Sequence, residues 1–251
     1  MKLVIAAAAM VVILNGAAVA EPQDECDLPQ AFTDTEIELP RVTAEIKDKH
    51  RLDISVIGTG SSAISGPDGT RFSYPAQLND ALKQRLAGVE VKVTAHVQSR
   101  ETTATMAAGL EKILAEDKPV LVIWQAGTAD AISGVEPEDF RASLDDGVGT
   151  IQNSGADVIL MNMQYSPRTD SMLDVSAYAD VMKWVAQQHG AILFDRLGIM
   201  RYWNDSGAFD LYAATKKYDM ARHVHACIAR ALASQIINAA HLDAVRMQTT
   251  R

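Results

Sequence analysis

Five short apolar runs alternate with helical patterns along the chain, and this alternation limits the possible folds more than any other feature of the sequence. The runs are continuous and rich in β-branched residues, which predicts strands buried on both faces. They cover residues 52–58, 89–94, 119–125, 157–162 and 191–194. Helical periodicity covers 74–87, 101–116, 136–153, 175–189 and 219–240. Strict β–α alternation predicts a three-layer α/β/α sandwich around a mostly parallel five-stranded sheet.

The N-terminal residues are typical of a signal peptide. Lys2 precedes an apolar run over 3–14, and small residues at 18–20 predict cleavage after Ala20. A retained membrane anchor is the alternative, but about 12 apolar residues fall short of the ~20 that span a bilayer, and no later run is longer. We therefore expect a soluble periplasmic or secreted protein with no transmembrane segment after cleavage. The predicted division is a signal peptide (1–20), an N-terminal arm (21–49), one main domain (50–240) and a C-terminal tail (241–251).

Charge and cysteine usage restrict the partners and the compartment. The sequence holds 23 Lys+Arg against 32 Asp+Glu, a formal net charge of -9, which argues against nucleic acid as a partner. Hydrophobic residues make up 48% of the chain, enough for a sizeable core and too many for a disordered protein.

The two cysteines, Cys26 and Cys227, could form one disulfide in an oxidising compartment. Alternatively, Cys227 packs as a small hydrophobic residue in the last helix.

Chemistry in an open parallel sheet is expected in the loops at the carboxyl ends of the strands. The loop after the first predicted strand is a turn of small residues, 58–63, that could expose a hydroxyl or bind an anion. It lacks the lysine and the spacing of a phosphate-binding loop. The loop after the third predicted strand reads Gly127-Thr128-Ala129-Asp130.

The chain resembles the SGNH (GDSL-type) hydrolases, a family of periplasmic and secreted esterases, thioesterases and carbohydrate acetyl-esterases. The similarity extends from residue 52 to about residue 236. It is most specific in the segments 72–78, 123–128, 156–161 and 227–232. The resemblance implies the SGNH-hydrolase-like, flavodoxin-like form of the three-layer α/β/α sandwich.

The resemblance also implies where the catalytic residues of the family would lie, and this sequence has replaced all of them. The nucleophilic serine would be at Gly60, the oxyanion-hole glycine at Arg100 and the oxyanion-donating asparagine at Ala129. The catalytic histidine would be at Asp219 and its aspartate at Lys216. We therefore expect a catalytically inactive pseudo-hydrolase that is retained for binding a ligand or a partner.

An active serine ester hydrolase is the alternative interpretation. Ser61 or Ser62 would be the nucleophile, and His223 or His225 the base, if the first turn and the last helix are shifted relative to the family. The simpler interpretation makes the two serines N-caps of the helix that follows and the two histidines partly exposed helix residues.

A third interpretation is recognition of a small molecule, a glycan or a protein in the former substrate crevice. Arg100 offers a planar donor group for a carboxylate or phosphate, and Tyr165 offers a stacking surface. Asp219 is expected to form a salt bridge with Lys216, Arg100 or both. No metal and no cofactor is predicted, because no pair of the remaining histidines has metal-ligand spacing. These are His50, His96, His189 and His241.

Overall fold

A computed structural model describes residues 25–66, 68–212 and 218–242; the predicted signal peptide, Lys216 and most of the predicted tail lie outside these ranges. Five parallel strands form one sheet in the order β2-β1-β3-β4-β5. They are β1 (Arg51–Gly58), β2 (Glu90–Val97), β3 (Leu121–Gln125), β4 (Asp157–Met161) and β5 (Ile192–Phe194). This order is that of a doubly wound, flavodoxin-like sheet, and the predicted fold class is confirmed.

Ten α-helices are described in this part of the chain. They are α1 (Pro40–Lys49), α2 (Gly69–Phe72), α3 (Tyr74–Arg85), α4 (Thr103–Asp117), α5 (Thr128–Ser133), α6 (Pro137–Asn153), α7 (Pro167–Asp170), α8 (Ser176–His189), α9 (Arg196–Asp205) and α10 (Tyr218–Ala239). One helical layer contains α4, α6 and α8, with α6 packed on both α4 and α8. The other contains α1, α3 and α10, with α3 packed on α10 and α1 against β1 and β4. The sheet is therefore covered on both faces, as right-handed crossovers between parallel strands require.

The strands differ in burial. All residues of β3 and β4 are buried, as the continuous apolar runs predicted. The expectation that β2 is buried on both faces is wrong, because β2 is an edge strand and leaves Glu90, Lys92 and Ala95 exposed. Strand order reverses between β1 and β3, so a crevice for ligands is expected where these two strands end.

Residues from both ends of the described chain meet beside α10. In α1, Val42 and Ile46 are buried, and the N–H of Leu39 donates to the Ala239 carbonyl at 3.0 Å. Cys26 and Cys227 are joined by a disulfide, with their Cα atoms 5.0 Å apart.

Among the residues described, no helix combines the length and the apolar character needed to cross a membrane.

Candidate functional site

The position implied for the nucleophile carries no side chain. Gly60 begins a single 3-10 turn (Gly60–Ser62) directly after β1 and is exposed. A Cβ atom built on Gly60 would lie 3.0 Å from the Ser99 hydroxyl oxygen, so the Ser99 side chain borders the space that a residue-60 side chain would enter. This position therefore offers no atom that could attack an ester carbonyl.

Of the other implied catalytic positions, the structure describes three, and these three do not form a catalytic group. Arg100 is exposed and has a left-handed backbone (φ 67°), and the buried methyl of Ala129 donates no hydrogen bond. The carboxylate of Asp219 is 84% exposed, and its ion-pair partner is Arg222, with Oδ1 and Nη1 4.0 Å apart. The expected salt bridge between Asp219 and Arg100 is thus wrong: Asp219 points outward from the first turn of α10 and meets its own helix neighbour instead. Lys216 lies outside the described residues.

A buried polar cluster occupies the end of the sheet at the crevice between β1 and β3, and Gln125, the last residue of β3, is at its centre. Oε1 of Gln125 accepts hydrogen bonds from the N–H and the hydroxyl of Thr59 and from the hydroxyls of Ser61 and Ser62, at 3.1–3.2 Å. The two serines are therefore engaged with Gln125 rather than acting as N-caps, and that interpretation of them is wrong. Gly58 leaves room for this arrangement, because a Cβ there would meet Ser62 and Gln125.

Tyr74 connects this cluster to α10. Its hydroxyl is 3.1 Å from the Ser62 hydroxyl, and its backbone N–H donates to Nδ1 of His225 at 2.9 Å. Burial raises the pKa of Tyr74, while the Ser62 hydrogen bond and the nearby Arg196 charge act in the opposite direction. Tyr74 is therefore a neutral phenol at physiological pH.

His225 is buried, so the interpretation of this residue as partly exposed is wrong. Burial, reinforced by the Arg196 charge, lowers the pKa of His225 to about 3, and the imidazole is neutral near pH 7. Because Nδ1 accepts the Tyr74 N–H, the single proton of the neutral ring is on Nε2. A ring in this state donates from Nε2 and offers no free lone pair, so it cannot take a proton from a serine.

His223, the other proposed base, is 65% exposed and lies 3.9 Å from a Glu25 carboxylate oxygen. In the described part of the chain, no imidazole is hydrogen-bonded to Ser61 or Ser62. These two hydroxyls therefore lack the imidazole partner that activates the nucleophile of a Ser–His pair.

Arg196 is the buried cation of the cluster. It follows β5, is 1% exposed, and donates from Nη2 to the Ser61 carbonyl at 2.9 Å and to Oε1 of Gln164 at 3.2 Å. Its Nη1 lies 3.4 Å from the Ser61 hydroxyl, and its guanidinium lies 5.8 Å from the centre of the Tyr74 ring. Burial lowers the pKa of Arg196 to about 10, so the group keeps its charge at pH 7.

A cavity of about 130 Å³ lies beside this cation. Arg196, His225, Gln164 and Tyr165 contribute to its wall. Tyr165 is only 8% exposed and has Arg201 over its ring at 5.1 Å, so it is a wall residue rather than an open stacking surface. Of the predicted binding residues, Tyr165 alone lines this cavity; Arg100 and Asp219 do not.

A second polar cluster contains a serine, a histidine and an aspartate but is not a catalytic triad. Asp117 accepts from the Ser55 hydroxyl at 2.8 Å and lies 2.6 Å from Nε2 of His96. The carboxylate stands between the other two groups, so the imidazole does not contact the hydroxyl. No group of three or more metal-ligating side chains occurs among the residues described.

Sequence reasoning missed the main polar residues of this site: Tyr74, Gln125 and Arg196. One signal was available, because Gln125 is a polar residue that ends an otherwise apolar strand. Arg196 and Tyr74 give no such signal, since both begin helices where polar and aromatic residues are ordinary.

Comparisons with known proteins agree with the fold. Residues 25–242 match the model of the Non-GDSL lipase-like family. A stretch of 138 residues is 30% identical to the esterase TesA of Pseudomonas aeruginosa and covers 55% of this chain and 67% of that protein. A stretch of 95 residues is 32% identical to an arylesterase of Vibrio mimicus and covers 38% of this chain and 46%, less than half, of that relative. The solved structure of a variant acetyl xylan esterase from Geobacillus stearothermophilus is 19% identical, with a TM-score of 0.61, and the match covers 74% of this chain and 94% of that one.

Proposed function

The chain belongs to the Non-GDSL lipase-like family, and we propose that it uses this esterase fold to bind a ligand without hydrolysing it. The observation that supports the proposal is that, among the residues the structure describes, neither Ser61 nor Ser62 is hydrogen-bonded to an imidazole that could act as its base. Gly60 has no side chain, and the buried imidazole of His225 donates rather than accepts at its free nitrogen.

The expected loss of rate is large. Removing a catalytic serine or histidine from a triad lowers turnover by about 10⁶, and removing one oxyanion-hole donor lowers it by about 10²–10³. Penalties within the triad do not multiply, because its members act together, and loss of the triad alone leaves about 10³–10⁴-fold catalysis over water, supplied by the oxyanion hole and by binding. Loss of the oxyanion-hole donors removes most of that remainder and brings the rate close to that of the uncatalysed reaction. Binding has no such requirement, and the crevice retains a charged, partly apolar cavity.

Hydrolysis of p-nitrophenyl acetate and p-nitrophenyl butyrate tests the proposal, with TesA of Pseudomonas aeruginosa measured beside it as the positive control. We expect a rate equal to that of buffer and no covalent labelling by a fluorophosphonate. Labelling that maps to Ser61, Ser62 or Ser99 would overturn the proposal. So would an ester-cleaving rate that disappears in Ser61→Ala or Ser62→Ala.

We also propose that the protein acts outside the cytoplasm after removal of residues 1–20. The support is the signal-like N-terminus together with the Cys26–Cys227 disulfide, a bond typical of oxidising compartments. N-terminal sequencing of protein recovered from the periplasmic fraction or the medium should begin at Glu21. Recovery only from the cytoplasm, with Met1 or Lys2 at the N-terminus, would contradict export.

A further inference from the structure

We infer that the cavity beside Arg196 binds the carboxylate of a small, partly apolar organic acid. This inference deepens the proposed function and rests on it, because it names the class of ligand that the chain would hold. Three properties of the cavity support the inference: its charge, its hydrogen-bond donors, and its size and lining residues.

The charge of Arg196 is not neutralised within the described part of the chain. All of its hydrogen bonds to described residues go to neutral oxygens, on Ser61 and Gln164, and none of the carboxylates that the structure describes lies within salt-bridge distance of it. Its Nε is buried and has no hydrogen-bond partner among these residues. A buried cation without a counter-charge is costly, and a bound anion would remove much of that cost.

His225 supplies a second donor on the same cavity wall. Its Nδ1 is occupied by the Tyr74 N–H, so Nε2 carries the proton, and none of the described residues accepts a hydrogen bond from it. A guanidinium and a neutral imidazole N–H together suit an acceptor with two oxygens and one negative charge.

The rest of the cavity wall indicates the size and polarity of the uncharged part of the ligand. Most of the wall is apolar, formed by the side chains of Met200, Leu211, Met220, Ala221 and Val224. A volume of about 130 Å³ is slightly smaller than the roughly 150 Å³ cavity that accepts benzene, so the ligand has about six non-hydrogen atoms. One cation on an apolar wall favours a monocarboxylate over phosphate, whose second charge would have no partner.

A purely structural role for Arg196 is the competing explanation. Its Nη2 joins the turn after β1 to the loop after β4, by bonding the Ser61 carbonyl and Gln164. That role needs neither a cavity beside the group nor a free donor on His225. It predicts that changing Arg196 alters stability and leaves the affinity for carboxylates unaffected, so the test must measure binding.

Isothermal titration of the disulfide-bonded protein with butyrate and with butyramide tests the inference. The two ligands have the same size and shape and differ in charge. We expect butyrate to bind about ten-fold more tightly or better, the usual contribution of a hydrogen bond to a charged group. The preference should disappear in Arg196→Met and persist in Arg168→Met, which changes an exposed arginine on α7.

A second variant keeps the test decisive if Arg196→Met does not fold. Ala221→Leu adds apolar volume to the cavity wall without touching Arg196, and it should abolish butyrate binding. Equal affinity for butyrate and butyramide would overturn the inference, as would butyrate binding that survives both Arg196→Met and Ala221→Leu. Neither result would contradict the proposal that the protein does not hydrolyse esters. Ester cleavage would contradict that proposal, and the titration would still test the preference for a carboxylate.

Discussion

At the carboxyl end of β3, a single amide oxygen faces four donors. The Oε1 atom of Gln125 lies 3.1–3.2 Å from the amide and hydroxyl of Thr59 and from the Ser61 and Ser62 hydroxyls. These donors belong to the turn after β1, so one side chain bonds three residues of the turn that the resemblance to SGNH hydrolases associates with the nucleophile. The hydroxyls of Ser61 and Ser62 donate here to an amide oxygen, which is a much weaker base than an imidazole.

Replacing Gln125 with leucine should therefore destabilise the fold. The buried Thr59 N–H and the hydroxyls would lose their acceptor, and unsatisfied buried groups cost about 1–3 kcal/mol. Urea unfolding should show a loss in that range for Gln125→Leu. The control Gln188→Leu, at an exposed position of α8, should change the free energy of unfolding by less than about 0.5 kcal/mol. Equal losses in the two variants would contradict this account.

Asp117 should make stability depend on pH. Burial acts to raise its pKa, but the hydrogen bonds from His96 and Ser55, together with the charges of His96 and Lys92, outweigh burial and leave the pKa below the usual value. A carboxyl whose pKa is lower in the folded state stabilises the fold above its unfolded pKa of about 3.9, and this contribution is lost as the pH falls through the folded pKa. Urea unfolding between pH 7 and pH 3 should show a smaller pH-dependent loss in Asp117→Asn than in the parent. The control Asp48→Asn, exposed on α1, should keep the parent slope, and an unchanged slope in Asp117→Asn would refute the assignment.

At the scale of elements, the packing of α6 on β3 depends on a glycine. Trp124 is fully buried in β3, and its ring lies against Gly147, where an added Cβ would collide with it. Gly149, two residues along α6, has no atom within 4 Å of an added Cβ. The two glycines share a helix but meet different surroundings, which makes them a matched pair.

Alanine at these two positions should have opposite effects. Gly147→Ala forces the Trp124 ring to move, and overpacking of a core costs about 1–3 kcal/mol. Gly149→Ala meets open space and should stabilise the helix by about 0.5–1 kcal/mol, because glycine is the poorer helix former. Thermal and urea unfolding of both variants would measure the change in the free energy of unfolding relative to the parent. A stabilised Gly147→Ala would contradict the described contact.

The main strands and helices could be predicted from the sequence, whereas the polar site could not. The spacing of apolar residues along the chain is a local property, so it indicated all five strands and the long helices. The predicted resemblance to the SGNH hydrolases is also confirmed. Several shorter helices, α9 among them, were not predicted; the first residue of α9 is Arg196, a charged residue that is nevertheless buried. The contacts of the site are long-range: 135 residues separate Arg196 from Ser61 and 151 separate His225 from Tyr74. Hydrophobic patterns contain no information about such pairs.

At the scale of the whole molecule, the disulfide joins the first described residues to the last helix. Cys26 and Cys227 are 201 residues apart, and Cys227 is buried on α10. A cross-link over so long a loop removes many conformations from the unfolded chain. It also fixes the N-terminal segment near the helix that carries His225.

Removing both sulfurs should lower the stability of the folded state. We expect Cys26→Ala combined with Cys227→Ala to reduce the free energy of unfolding by about 2–5 kcal/mol. Intact-mass analysis after alkylation without reductant should find no modified thiol in the parent protein. Two alkylated cysteines would contradict the bridge.

The two edges of the sheet affect how copies of the molecule meet in concentrated solution. One edge, β5, has three residues, and the other, β2, exposes Glu90 and Lys92. Short edge strands and charged edge side chains both hinder the addition of a further strand. Fibrous aggregation through continuation of the sheet should therefore be slow while the fold is intact. It becomes a hazard only for unfolded chains, in which the apolar segments of β3 and β4 are no longer covered by helices.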